Sequence, residues 1–148
     1  MFGWRAFLLR LFGADIGAGA HVYPSARIWA PWNLVMGKQA CIADHVICYN
    51  VSTIHIGDFS TVSQFSNLCT ASHDYRRWDH PLIVGNITLG SHVWVTADVF
   101  IGPGVNIGDG AVVTARANIF TDIEPWVVVS SDNTLRQRAR IMTVNEDS

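Results

Sequence analysis

Residues 89–124 read LGSHVW VTADVF IGPGVN IGDGAV VTARAN IFTDIE, six consecutive hexads whose first residue is always aliphatic: Leu89, Val95, Ile101, Ile107, Val113 and Ile119. The frame extends upstream through Ile16, Val22 and Ile28, then Met36, Ile42 and Cys48, then Ile56, Val62 and Leu68. With 49% of the chain apolar, such a run in a preset frame arises by chance about twice in 10⁵ trials, so the period is real. Six residues match neither the helical nor the strand period, and the chain must therefore turn a corner once per hexad. Three hexads close one coil of a three-sided solenoid, in which each leading side chain points inward and stacks on its equivalent in the next coil. The fifth position fits a corner: it holds small or apolar residues from Ala20 to Ile123, with Trp32 the one bulky exception. Glycine after many leading residues, as at Gly17, Gly37 and Gly57, is read as a permissive backbone.

The breaks in the repeat are informative. Leu34 and Val35 are extra before Met36, Ile54 and His55 before Ile56, and residues 74–88 before Leu89. Each follows three complete hexads, so all leave the solenoid at one corner. A long excursion at a surface corner more often serves function than not, which directs attention to residues 73–88.

The 148 residues form one domain: a capping helix over 1–15, a solenoid of about five coils over 16–124 with the inserted loop 74–88, and a helix or arm over 125–148. A net charge of −2 without a basic run argues against nucleic acid. Cys41, Cys48 and Cys69 form no C-x-x-C pair, and Cys48 leads a hexad as a small core hydrophobe, which fits a reducing cytosol. The opening WRAFLLRLF reads as a short amphipathic helix covering the open end of the solenoid, with weak membrane-surface contact as the second reading. Its apolar run is too short to span a bilayer.

The hexads, with Ile56-Gly57-Asp58, Val93-Trp94-Val95, Pro103-Gly104-Val105 and Ile107-Gly108-Asp109-Gly110, resemble those of the hexapeptide-repeat acyltransferases. More narrowly, residues 4–17 (WRAFLLRLFGADIG), Pro31-Trp32-Asn33-Leu34, Ser63-Gln64 and residues 68–74 (LCTASHD) resemble the colanic-acid-type exopolysaccharide O-acetyltransferases. The likeness runs from about residue 4 to about residue 129. It implies a left-handed parallel β-helix, a hand opposite to the general crossover rule, and acetyl-CoA as co-substrate without a required metal. It also implies a glycan or small-molecule acceptor linked to exopolysaccharide assembly in the cytoplasm, and a homotrimer. Trp29, Trp32, Tyr49 and Phe65, hard to bury in a narrow solenoid, independently favour a subunit or helix interface.

In that family the histidine leaving the coil just before the long loop is the catalytic base, which here is His73. The repeat points to the same residue, because among six histidines only His73 stands where the hexads give way to the long insertion. Histidine titrates near neutrality and can take a proton from a sugar hydroxyl. The implied chemistry is direct transfer, with Cys69 as the residue an acyl-enzyme route would need. Asp74 either orients His73 or caps the loop. Trp78 and its loop neighbours suit sugar contact or packing on a neighbour, and Asp44 and His45 are candidate acceptor contacts or solvated turn residues. For the donor, the resemblance places Trp94, Ala97 and Ala115 along a pantetheine groove. Arg138 is the candidate phosphate contact, with Arg136 and Arg140 as alternatives, because Thr121 stands where relatives often have Lys and residues 130–135 depart from their usual Gly-Asn-Pro-Ala-Lys/Arg turn. Two other classes remain. A zinc enzyme on this fold requires a close H-x₄-H pair, which is absent from the sequence. A non-catalytic trimeric scaffold, or a lapsed acyltransferase with a degraded coenzyme site, is the alternative that the altered 130–135 segment supports.

Overall fold

The computed structural model describes residues 2–130 and 137–142. The chain is a left-handed parallel β-helix of three-sided coils with one short helix, α1 (Phe2–Leu11). The hexads become short strands on three faces. Face one stacks Asp15–Ile16, Leu34–Met36, Ile54–Ile56, Ile87–Leu89 and Asn106–Ile107. Face two stacks His21–Val22, Cys41–Ile42, Thr61–Val62, Trp94–Val95, Val112–Val113 and Val127–Val129, and face three stacks Arg27–Ile28, Ile47–Tyr49, Asn67–Cys69, Phe100–Ile101 and Asn118–Ile119.

The register follows the sequence frame. Ile16, Met36, Ile56, Leu89 and Ile107 are successive partners on face one, and Ile28, Cys48, Leu68, Ile101 and Ile119 on face three. All fifteen leading residues are buried except Ile28, which is partly buried in the first coil. Removing an aliphatic side chain of this size from water stabilises the fold by about 1.5–3 kcal/mol, and the ladder repeats that gain coil after coil. A sixth, partial turn extends the five coils through an Ile107–Ile123 bridge and the pairing of Val113 with Val129.

Three expectations change. Ile87 and Thr88, assigned to the insertion, instead extend the face-one strand in register with Ile54 and His55. The pairs before Met36 and Ile56 are likewise strand rather than loop. Leu34, Ile54 and Ile87 are fully buried, so the third corner is wider than the others and filled with apolar bulk. Buried Asn50 and Thr70 complete it: Ala30 N–H donates to Asn50 Oδ1 at 2.9 Å, Asn50 Nδ2 donates to Ala30 O at 2.7 Å, and Ser52 N–H donates to Thr70 Oγ1 at 2.9 Å. At the end of the chain, of the helix or arm expected over 125–148, the described residues form an extended arm, in which Gln137–Ala139 pairs antiparallel with Val127–Val129.

The third change concerns glycine. At Gly17 and Gly57 the φ angle is ordinary, and the requirement is space: an added Cβ would lie 2.5 Å from the carbonyl carbon of Gly37 or Gly90 in the next coil. The left-handed conformation sits at hexad position four, where Gln39, His45, Phe59, Phe65, His92, Asp98 and Arg116 all have φ between 55° and 63°. Such residues cost about 1–2 kcal/mol each. Interstrand ladders hold them, as where Phe59 N–H donates to Lys38 O at 2.9 Å and Asp98 N–H to Gln64 O at 3.0 Å.

α1 closes the first coil. Ala6 and Leu9 join the core, and the Arg5 guanidinium donates to the carbonyls of Pro24 and Ala26 while Arg10 donates to Ile16 O. These arginines satisfy carbonyls at the end of the coil, where no further strand stacks.

Candidate active site

His73 ends a strand (Ala71–His73) that leaves the third corner and pairs antiparallel with Leu82–Val84, His73 opposite Leu82. The eight residues between the strands form a tight turn closed by Asp74 N–H to Pro81 O at 3.0 Å and His80 N–H to Arg77 O at 3.0 Å. His80 has φ 41°, and this backward kink presents its carbonyl to the His73 ring: Nδ1 lies 2.6 Å from His80 O. A carbonyl only accepts, so Nδ1 bears the proton and donates it, which leaves Nε2 of the neutral ring with a free lone pair. The exposed ring lies in a cleft of ≈ 360 Å³ lined by Ser72, His73, Asp74, Tyr75, Arg76, Ile83, Pro103 and Phe120. Such an imidazole is oriented for proton abstraction.

Asp74 serves the turn. Arg76 donates to it from the backbone at 3.1 Å, Nε at 2.9 Å and Nη2 at 3.2 Å, and this guanidinium holds the carboxyl below its ordinary value. Of the two readings of Asp74, the geometry matches the loop cap. Arg77 pairs with Asp79 in the same way and lowers that carboxyl. Trp78, at the tip, is 99% exposed and does not line the His73 cleft. Cys69 donates its thiol proton to Ala71 O at 3.0 Å; nothing in that contact activates a nucleophile.

The donor candidates gather elsewhere. Ala97 and Ala115 occupy equivalent positions at the second corner of successive coils and line a groove of ≈ 540 Å³ with Phe65, Asp98 and Arg116. Trp94 lies on the outer face of face two, half-exposed, with Nε1 donating to Ser63 Oγ at 3.0 Å. Arg138 is exposed three ranks further along: Trp94, Val112, Val128 and Arg138 are successive strand partners. The structure thus places all four on face two or its second corner, toward the C-terminal end. The altered 130–135 segment lies outside the described residues beyond Ser130, as does Arg136.

Asp44 and His45 also occupy the second corner. Ser25 Oγ donates to Asp44 Oδ1 at 2.7 Å and accepts His45 N–H at 2.9 Å, while the His45 ring stacks on Phe65 at 5.1 Å. Both serve the corner ladder, at the opposite edge of face three from His73, and one chain does not bring them to the His73 cleft.

Sequence reasoning missed Phe120 and Arg116. Phe120 stands where other hexads have glycine, and its ring covers Gly102, where an added Cβ would lie 2.8 Å from the ring; the paired loss and retention of glycine in successive coils was the available signal. Arg116 follows Ala115 at the groove, 3.5 Å from Asp98, and nothing in the period distinguishes it from a solvated corner residue.

No family model matches the chain. It is 42% identical over 143 residues, 97% of this chain and 79% of the relative, to WcaF of Escherichia coli K12, a protein named for an acetyltransferase role in colanic acid biosynthesis. The galactoside O-acetyltransferase of the same organism is 28% identical over 129 residues, covering 85% of this chain and 64% of that one. Among solved structures, a hexapeptide-repeat acetyltransferase of Vibrio cholerae in complex with acetyl-CoA superposes with a TM-score of 0.86 at 27% identity, over 95% of this chain and 78% of that chain. A maltose O-acetyltransferase of Clostridium difficile gives 0.84 at 27% identity, over 96% and 77%.

Proposed function

Since the chain belongs to the hexapeptide-repeat acetyltransferase family that includes WcaF, we propose that it transfers acetyl from acetyl-CoA to a sugar hydroxyl during exopolysaccharide assembly, with His73 as general base. The observation that carries this reading is the 2.6 Å contact from His73 Nδ1 to the His80 carbonyl, which leaves Nε2 free at the cleft. Nε2 takes the hydroxyl proton as the acceptor oxygen attacks the thioester carbonyl. The tetrahedral intermediate collapses, the imidazolium returns its proton to the departing coenzyme A thiolate, and the acetyl ester and free thiol leave. No acyl-enzyme intervenes. The base contributes about 10²–10⁴-fold. Pantetheine lies along the second corner past Ala97 and Ala115, whose small side chains permit close approach, and Arg116 and Arg138 offer cations to the phosphates.

The site is completed between subunits of a homotrimer. Within one chain, His73 and the Ala97–Ala115 groove occupy opposite edges of face three, and a three-fold neighbour sets the one edge against the other. The outer surface of face three supports this, exposing Trp29, Ile47, Tyr49 and Phe120, with Phe65 at its rim. Contiguous apolar area of this kind marks a docking face. The lack of a membrane-crossing helix among the described residues is compatible with work in the cytoplasm, where acetyl-CoA is available.

Titration calorimetry with acetyl-CoA, beside turnover on glycan acceptors, tests the proposal. His73→Ala is expected to bind the donor as the parent does while kcat falls about 10²–10⁴-fold. Retained turnover by His73→Ala would remove the base from the mechanism. No donor binding by the parent at millimolar concentration would instead favour the scaffold alternative.

A further inference from the structure

We propose that the capped end of the solenoid docks on the surface of an anionic phospholipid bilayer, lying in its interfacial layer. The observation is a second apolar face on α1. A cap requires one apolar stripe, which Ala6 and Leu9 supply. The opposite side is nevertheless apolar too: Trp4, Phe7 and Leu11 are 66%, 52% and 68% exposed, at helical spacing, with the Trp4 and Phe7 rings stacked at 5.6 Å. The patch continues through Phe12 and Trp32, both exposed, whose neighbour Gly13 packs on the Trp32 Cβ. Trp32 is the residue that broke the small-residue rule at the fifth hexad position, and it is 66% exposed rather than packed into the solenoid. Tryptophan, phenylalanine and leucine around a short surface helix suit the boundary between headgroups and acyl chains.

Charge selects the partner. Arg5, Arg10, Arg27 and Lys38 against Asp15 alone give residues 1–43 a net charge of +3, so the remainder of a chain of net −2 carries −5. The capped end is basic, whereas among the described residues beyond Ile107 the charges of Asp109, Asp122 and Glu124 are balanced by Arg116, Arg138 and Arg140. An anionic surface therefore attracts the molecule cap first. A second copy docked end to end would set Arg5 and Arg10 against their own equivalents, with no acid in residues 1–14 to pair with them. Should the trimer of the previous section hold, three caps face the same direction, and simultaneous engagement multiplies a weak single contact by effective concentration. That step rests on the trimer; the docking itself does not.

Co-sedimentation with phosphatidylcholine vesicles containing about 30 mol% phosphatidylglycerol tests the proposal, against pure phosphatidylcholine vesicles and with salt raised to about 0.5 M. The parent is expected to sediment with the anionic vesicles and to lose most of that binding at high salt or on the neutral ones. Trp4→Ser/Phe7→Ser, and separately Trp32→Ser, are expected to weaken partitioning about tenfold or more, with melting temperature, mass and acetyl-CoA affinity unchanged. Those controls separate failure of docking from failure of the acetyltransferase reading. Absence of parent binding, or equal binding by Trp4→Ser/Phe7→Ser, overturns the proposal. So does a mass that doubles in the parent and is restored by those substitutions, which assigns the patch to a second copy.

Discussion

His73 and Asp74 are adjacent in sequence and face different partners: the ring faces the His80 carbonyl and the carboxylate faces Arg76. Asp74→Asn is therefore expected to keep kcat within about threefold of the parent in steady-state kinetics, the loss being confined to an exposed ion pair of small worth. The Asp74 carboxyl, depressed by Arg76, binds its proton more weakly in the folded chain than in the unfolded one. The pair thus supports the turn at neutral pH, and that support is lost as pH falls through the lowered value. Cys48 runs in the opposite sense. Complete burial pushes its thiol up to about 12, so above about pH 9 the unfolded chain loses a proton that the folded chain keeps. Stability is expected to fall by about 1.4 kcal/mol per pH unit over that alkaline range, and urea titrations of Cys48→Ala should show a flatter profile.

Among the elements, the corners decide more than the strands. Gly57→Ala places a Cβ 2.5 Å from the Gly90 carbonyl carbon, where a backbone cannot yield cheaply; the expected cost is about 1–3 kcal/mol by urea unfolding. Gly104→Ala meets nothing within 4 Å and has only its φ of 79° to penalise it, which sets its cost near 1 kcal/mol. A reversal of that order would mean that conformation, and not coil spacing, governs glycine at position two. The hairpin carrying His73 is tied to the solenoid at Gly85, whose N–H donates to Thr70 O at 2.9 Å and whose missing Cβ would lie 2.6 Å from Gly104 N. The insertion is thereby anchored at both ends to coils that the apolar ladder holds rigid, so His73 is positioned by fixed backbone although its turn is solvent-exposed.

At the scale of the whole molecule, the His73 cleft and the small-residue groove lie at opposite edges of one face. On the proposed mechanism, a functional site then depends on assembly. Light scattering is expected to give three times the 16.3 kDa chain mass, and Tyr49→Arg on the exposed face-three surface should dissociate the assembly and abolish turnover together, with the coil still folded by circular dichroism. A monomeric parent that turns over would contradict the shared site. The basic excess of the capped end and the exposed aromatic cap belong to this scale as well, since neither is a property of any single coil.

The fold was legible because its cause is periodic: one inward aliphatic residue per hexad leaves a mark in the sequence, from Ile16 to Ile119, that local irregularity does not erase. The place of His73 was legible too, as the histidine where the period stops and a hairpin leaves the solenoid. The purpose of glycine at position two, the left-handed residues at position four and the strand character of Ile87 and Thr88 were not, because each is imposed by a neighbouring coil some twenty or thirty residues away. For the same reason only the tertiary structure decided which nitrogen of His73 is free and that Asp74 belongs to Arg76. Periodicity reports what every coil must do; the single contacts that make one corner a site arise where coils and insertion meet in space.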